Sequence, residues 1–139
     1  MVLEFCESGE LYSFCKKNKN LEDSKIKDFG LQLANGIKYL HDKLIFHRDL
    51  KLGNILIKDN KQIKICDFGL AKVLNTVDEE TKTICGTANY IPPEMVNELP
   101  YGIKGDCWAF GCVIFSLKTG GPPFDSKGDI KSTIENIKS

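Results

Sequence analysis

Arginine is almost missing: Arg48 is the only one, and every other cation is a lysine. An excess of either charge is missing too, because nineteen Lys and Arg balance nineteen Asp and Glu. A neutral chain has no overall field to draw it to nucleic acid or an anionic membrane, so neither is expected as a partner. No long apolar run occurs. Cys107 to Leu117, the longest charge-free apolar stretch, falls well short of the roughly 18 residues that cross a bilayer, and Glu4 interrupts any signal-like start. The expectation is an intracellular chain, cytoplasmic or nuclear. The six cysteines form no C-x-x-C pair and no metal-ligand spacing, and read as reduced thiols. Repeats and low-complexity tracts are absent, and 139 residues suit one domain with one modest core.

What is present is patterned. Met1 to Phe5 reads as the end of a strand, broken by Cys6-Glu7-Ser8-Gly9 before a helix-compatible segment from Glu10 to Lys16. Ser24 is a candidate N-cap for a long helix ending near His41, with Ile26, Phe29, Leu33, Ile37 and Leu40 on one stripe. Short β-type runs follow at Leu44 to Phe46, Ile55 to Ile57 and Ile63 to Cys66, the last two joined by the turn Lys58-Asp59-Asn60-Lys61. Asn75 to Lys82 reads as a loop and Pro92-Pro93 as a helix start or turn. Asp106 to Leu117 is apolar nearly all round, which predicts a helix buried on every side, with Trp108, Phe110, Val113, Ile114 and Phe115 in the core. A last amphipathic piece carries Ile130, Ile134 and Ile137, with nothing downstream to pack on it.

His47-Arg48-Asp49-Leu50-Lys51-Leu52-Gly53-Asn54 matches H-R-D-L-x-x-x-N, and Asp67-Phe68-Gly69 follows after the hairpin. On these motifs the chain resembles the eukaryotic protein kinases. Asp28-Phe29-Gly30-Leu31 repeats the text of Asp67-Phe68-Gly69-Leu70, but Phe29 falls on the helix stripe and that copy is taken as coincidence. The resemblance implies a catalytic carboxylate at Asp49, a γ-phosphate contact from Lys51, and Mg²⁺ ligands at Asn54 and Asp67, with ATP as cosubstrate. Lys51 two residues after the Asp is the pattern of serine/threonine kinases. The bland reading makes Asp49, Asn54 and Asp67 ordinary turn residues.

The same resemblance gives the remaining candidates. Arg48 would pair with a phosphorylated residue of the activation loop, for which Thr83 is favoured, with Lys72 as a second phosphate ligand; Arg48 held only on backbone is the alternative. Gly86-Thr87-Ala88-Asn89-Tyr90-Ile91-Pro92-Pro93-Glu94 is similar to the peptide-positioning loop, with Thr87 expected to hydrogen-bond Asp49 and Lys51, and with Pro92 where the family has Ala. In relatives Glu94 pairs with a downstream arginine that this sequence does not contain, so Glu94 is expected to be exposed or its surroundings loosened. Asp106-Cys107-Trp108 resembles the start of the central helix, making Asp106 a scaffold residue. The backbone of Glu4 and Cys6 would receive adenine over Leu56, and Cys66 reads as a buried small hydrophobe or a reactive thiol. Lys51-Leu52-Gly53-Asn54 with Thr83-Ile84-Cys85-Gly86-Thr87 is similar to the polo-like group.

The resemblance implies the C-terminal lobe of a kinase fold over residues 1–139: mainly α, with a small β-hairpin region (α+β), from hinge to the helix after the central one. The G-x-G-x-x-G loop, strand Lys and partner Glu of a first lobe do not occur in this sequence. The chain alone is therefore expected to be inactive. Its protein Ser/Thr substrates would be phosphorylated only when a first lobe is supplied. A non-catalytic binding module is the alternative.

Overall fold

The computed structural model describes residues 2–18 and 21–139. Among them the fold is helix-rich with two small antiparallel sheets. Its axis is helix α2, Asp23–Asp42, which buries Ile26, Phe29, Leu33, Ile37 and Leu40 on one face. No side chain caps its N-terminus, at Glu22, and Ser24 lies inside the first turn with its hydroxyl on the Glu22 carboxylate. The missing cap is worth about 1 kcal/mol, while each large side chain buried on the stripe contributes roughly 1.5–3 kcal/mol, so packing decides where the helix forms. Phe29 is 1% exposed, which disposes of Asp28-Phe29-Gly30 as a working motif.

The short helix α1, Leu11–Lys17, inserts Leu11 into the same core. Helix α4, Lys104–Thr119, packs across α2 where Gly30 lets Ile114 approach, since a Cβ on that glycine would lie 3.1 Å from Ile114 Cδ1. It stops at Gly120, whose φ of 86° needs no side chain and whose N–H returns to Ser116 O. Contrary to the expectation of burial on every side, Cys107, Gly111 and Phe115 face outward, with Phe115 45% exposed. Those three stand four residues apart on one stripe, and the packed neighbours lie against the other faces.

Strands β1 (Ile45–Phe46) and β4 (Lys72–Val73) pair with Phe46 opposite Lys72. Strands β2 (Ile55–Lys58) and β3 (Gln62–Ile65) form the expected hairpin, with Asp59 and Asn60 both left-handed in its turn. Residues 2–5 are not a strand. They pair with no edge among the described residues, and Val2, Leu3 and Phe5 are 98%, 73% and 81% exposed; Met1 lies outside the described residues. Helix α3, Pro93–Val96, is a single turn begun by proline. The last helix, α5, Ile130–Lys138, is not left unpartnered: it buries Thr133 and Ile137 and packs on α3 and on the 3-10 turn Ala88–Tyr90. All six cysteines are free thiols.

Candidate functional site

The loop between β1 and β2 is held in an uncommon backbone shape. Arg48 has φ 68° and Asp67, on the facing loop, has φ 60°, both left-handed without being glycine. Asp106, 1% exposed in the first turn of α4, holds the first of these in place. Its carboxylate accepts the backbone N–H groups of His47 (3.0 Å) and Arg48 (3.1 Å), and its Oδ2 lies 2.9 Å from His41 Nε2. The fully buried His47 ring accepts the Asp49 N–H at Nδ1 (3.3 Å), which leaves Nε2 to donate to Cys66 O (3.1 Å). Phe68 meets that ring edge-on at 5.0 Å. Thus one histidine ties the loop carrying Asp49 to the loop carrying Asp67.

Asp49, Lys51, Asn54 and Thr87 converge. Thr87 Oγ1 donates to Asp49 Oδ1 at 2.8 Å, and Lys51 Nζ donates to both Asp49 Oδ2 (2.8 Å) and Thr87 Oγ1 (2.9 Å). Asn54 Nδ2 donates to Asp49 Oδ2 (3.0 Å) and to Asp49 O (2.9 Å). A carboxylate has about four acceptor positions, and three on Asp49 are filled, which leaves one for an incoming hydroxyl. The Asp49 side chain is 10% exposed and that of Lys51 29%. Such shielding strengthens the pair relative to a surface contact while leaving it reachable.

With its amide nitrogen committed to Asp49, Asn54 keeps its amide oxygen without a partner among the described residues. Asp67 is exposed, and among the described residues its Oδ1 accepts the Gly69 N–H alone (3.2 Å). These are hard oxygen donors of the type Mg²⁺ takes. Among the described residues no cluster of three or more His, Cys, Asp or Glu is arranged to hold a metal unaided, so phosphate and water oxygens would complete any such shell.

The remaining phosphate-site candidates surround the loop from Leu70 to Thr83. Arg48 Nε donates to Leu70 O at 2.6 Å, and Lys72 Nζ pairs with Glu79 Oε1 at 2.8 Å. Thr83 is exposed, and its carbonyl accepts the Tyr101 hydroxyl. Thr81 and Tyr101 also exchange backbone hydrogen bonds (2.9 and 3.0 Å). Burial pushes the Tyr101 phenol up to about 12, with Cys85 adding to the rise and the nearby Arg48 guanidinium opposing it.

A family profile for the protein kinase domain matches residues 1–139. The chain belongs to the protein kinase family. It is similar to a probable serine/threonine-protein kinase, CCRP1, of Zea mays (42% identical, covering all of this chain and 22% of that protein). Similar too are the serine/threonine-protein kinases PLK4 of Nematostella vectensis (43%, 99% of this chain, 14% of that protein) and polo of Drosophila melanogaster (41%, 99%, 24%). The polo-like resemblance therefore extends along the whole kinase chain, which spans between 14 and 24% of these relatives' length.

Elsewhere in the kinase chain, Glu4 is 48% exposed and its carboxylate is taken by Lys58 (2.7 Å) and Lys64 (3.3 Å), both of which lower its pKa. Cys6 O closes a turn with Gly9 N–H, and Leu56 is half-buried on β2 beside Glu10. Burial raises the Cys66 thiol, as the small-hydrophobe reading expects. Glu94 is partly exposed and makes no ion pair among the described residues. Pro92 is accommodated by Gly105, where a Cβ would lie 3.5 Å from Pro92 Cγ and 3.1 Å from Phe46 Cζ.

Three residues of this candidate site went unread in the sequence. His41 shows only as a polar residue near the end of a helix. Tyr101 follows a proline with no periodicity to mark it, and Glu79 sits in a loop rich in acids. Only the clustering of turn formers around Tyr101, Pro100 and Gly102, hinted at a fixed position there.

Among the described residues no helix is long and apolar enough to cross a membrane.

Proposed function

We propose that this chain is the catalytic, C-terminal lobe of a serine/threonine protein kinase, working when joined to a first lobe. The observation that carries this is the closed set of hydrogen bonds among Asp49, Lys51, Asn54 and Thr87, which holds one carboxylate with one acceptor position open. In this reading a Ser or Thr hydroxyl of a protein substrate donates to Asp49. Its oxygen attacks the γ-phosphorus of ATP, the bond to the ADP oxygen breaks, and the hydroxyl proton passes to Asp49. Lys51 places its ammonium where negative charge gathers on the transferred group. Asn54 Oδ1 and the Asp67 carboxylate would hold Mg²⁺, which when bound neutralises phosphate charge. The backbone of Glu4 and Cys6, with Leu56 beneath, would take the adenine.

Thr83 is the proposed switch residue. Arg48 spends Nε on Leu70 O and sets its guanidinium beside the Tyr101 hydroxyl that holds the Thr83 carbonyl, and Lys72 is the second cation nearby.

The test is phosphoryl transfer from ATP–Mg²⁺ to Ser, Thr and Tyr peptides by a polypeptide in which these residues follow a first lobe. Asp49→Asn should lower turnover by roughly 10²- to 10⁴-fold, with transfer confined to Ser and Thr. Unchanged turnover in Asp49→Asn would overturn the assignment. Absence of transfer from the parent polypeptide would favour the non-catalytic binding module.

A further inference from the structure

The Glu79 carboxylate has three donors although it lies in a surface loop. Oε2 accepts Asn75 N (2.7 Å) and Asn75 Nδ2 (2.8 Å), while Oε1 accepts Lys72 Nζ (2.8 Å). The Glu79 N–H closes the same turn on Thr76 O at 3.2 Å. Lys72 is fixed from behind, since β4 pairs it with Phe46, two residues before Arg48. Arg48 in turn is clipped to Leu70, two residues before Lys72. The two cations therefore border one short stretch of chain, and Tyr101, edge-on to Phe46 at 5.6 Å and within reach of the Arg48 guanidinium, ties Thr83 to the same side by holding its carbonyl. Of the two, the Lys72 ammonium is already engaged by a carboxylate.

Resting on the reading of Thr83 as the switch, we infer that Glu79 is a resident counter-ion for Lys72, and that a phosphate on Thr83 acts by taking Lys72 away from it. A phosphate carries close to two negative charges and three acceptor oxygens against one charge on Glu79, so Lys72 favours it once it is present. Asn75 keeps Glu79 in place after the lysine leaves, because both Asn75 donors are on the other carboxylate oxygen. The unphosphorylated loop is thus closed on itself at Lys72–Glu79, and the phosphorylated loop is closed across Arg48, Lys72 and Thr83. Competition by Glu79 sets how tightly the phosphate is held.

The experiment is a ³¹P titration of the full chain phosphorylated at Thr83, compared with the same chain carrying Glu79→Gln, Lys72→Met, or both. Glutamine keeps an acceptor for Asn75 but gives up the charge that holds Lys72. The expected result is a second phosphate midpoint about half a pH unit lower in Glu79→Gln, about threefold in the proton dissociation constant, and a raised midpoint in Lys72→Met. In the double variant the Glu79→Gln effect should shrink toward zero. A ¹³C titration of the Glu79 carboxyl in the unsubstituted chain gives a second reading that needs no variant, and phosphorylation should raise its midpoint. Equal midpoints in parent and Glu79→Gln, with Lys72→Met raising both, would overturn the exchange and leave the phosphate site standing. An ordinary midpoint near 6 in every chain would remove the Thr83 reading and the exchange with it.

Discussion

Gly86 crosses the carbonyl of Arg48 so closely that a Cβ on it would stand 2.8 Å from that oxygen. Both residues are left-handed, Gly86 at φ 103° and Arg48 at φ 68°. The contact brings the segment carrying Thr87 against the loop carrying Asp49, and backbone cannot give way as a flexible side-chain end can. Gly86→Ala should therefore lose roughly 1–3 kcal/mol of stability, measured by urea unfolding, and should part Thr87 from Asp49. Gly111→Ala is the contrast, since nothing lies within 4 Å of its Cβ position inside α4. That change should stabilise by about 0.5–1 kcal/mol. Equal effects of the two would refute the close-approach argument.

Asp106 satisfies two backbone donors and His41 from a nearly fully buried position. Asp106→Ala leaves the His47 and Arg48 N–H groups without an acceptor, each costing about 1–3 kcal/mol. Asp106→Asn keeps one acceptor oxygen and should cost less. Amide exchange at His47 and Arg48 reads the effect directly, and unchanged protection in Asp106→Ala would show that other groups hold this loop.

Alkaline titration reads the burial of two tyrosines. Burial raises the phenols of Tyr90 and Tyr101, Tyr101 to about 12 against the usual 10. The contribution to stability is full below pH 10, where both states are protonated, and is lost as the pH rises through the folded value near 12, because the unfolded chain ionises first. Phenolate absorbance should show a late step above the usual 10, and Tyr101→Phe should remove it. Absence of any phenolate step above the usual 10 would contradict the burial of Tyr101.

Acid opens the loop at Glu79. Its carboxyl is held near 2, below the usual 4.5, by the Asn75 N–H first and by Lys72 and the Asn75 side chain with it. The order it confers is complete above pH 4.5 and is lost as the pH falls through about 2. The Asn75 amide resonance should follow that low midpoint. A midpoint near 4.5 would mean the carboxylate is free in solution.

The parts legible in sequence were those written in short stretches of chain. The stripe from Ile26 to Leu40 announced α2, Asp59-Asn60 announced the hairpin turn, and the spacing of His47, Arg48, Asp49, Lys51 and Asn54 announced the family. Each follows from backbone periodicity or from side chains a few residues apart, so little depends on what lies across the molecule.

Tertiary structure decided what meets what. Thr87 reaches Asp49 across 38 positions, Asp106 reaches Arg48 across 58, and Tyr101 reaches Thr83 across 18. Composition made α4 buried all round, yet a helix is buried only where neighbours exist, so Phe115 stays exposed. The apolar run at residues 2–5 had strand composition and pairs with no edge among the described residues. Lys72 reads in the sequence as a second phosphate ligand, and only packing sets the Glu79 carboxylate beside it. Local pattern selects elements through the chain's own geometry, whereas partners across the fold are chosen by packing and hydrogen-bond satisfaction, which no single stretch of sequence contains.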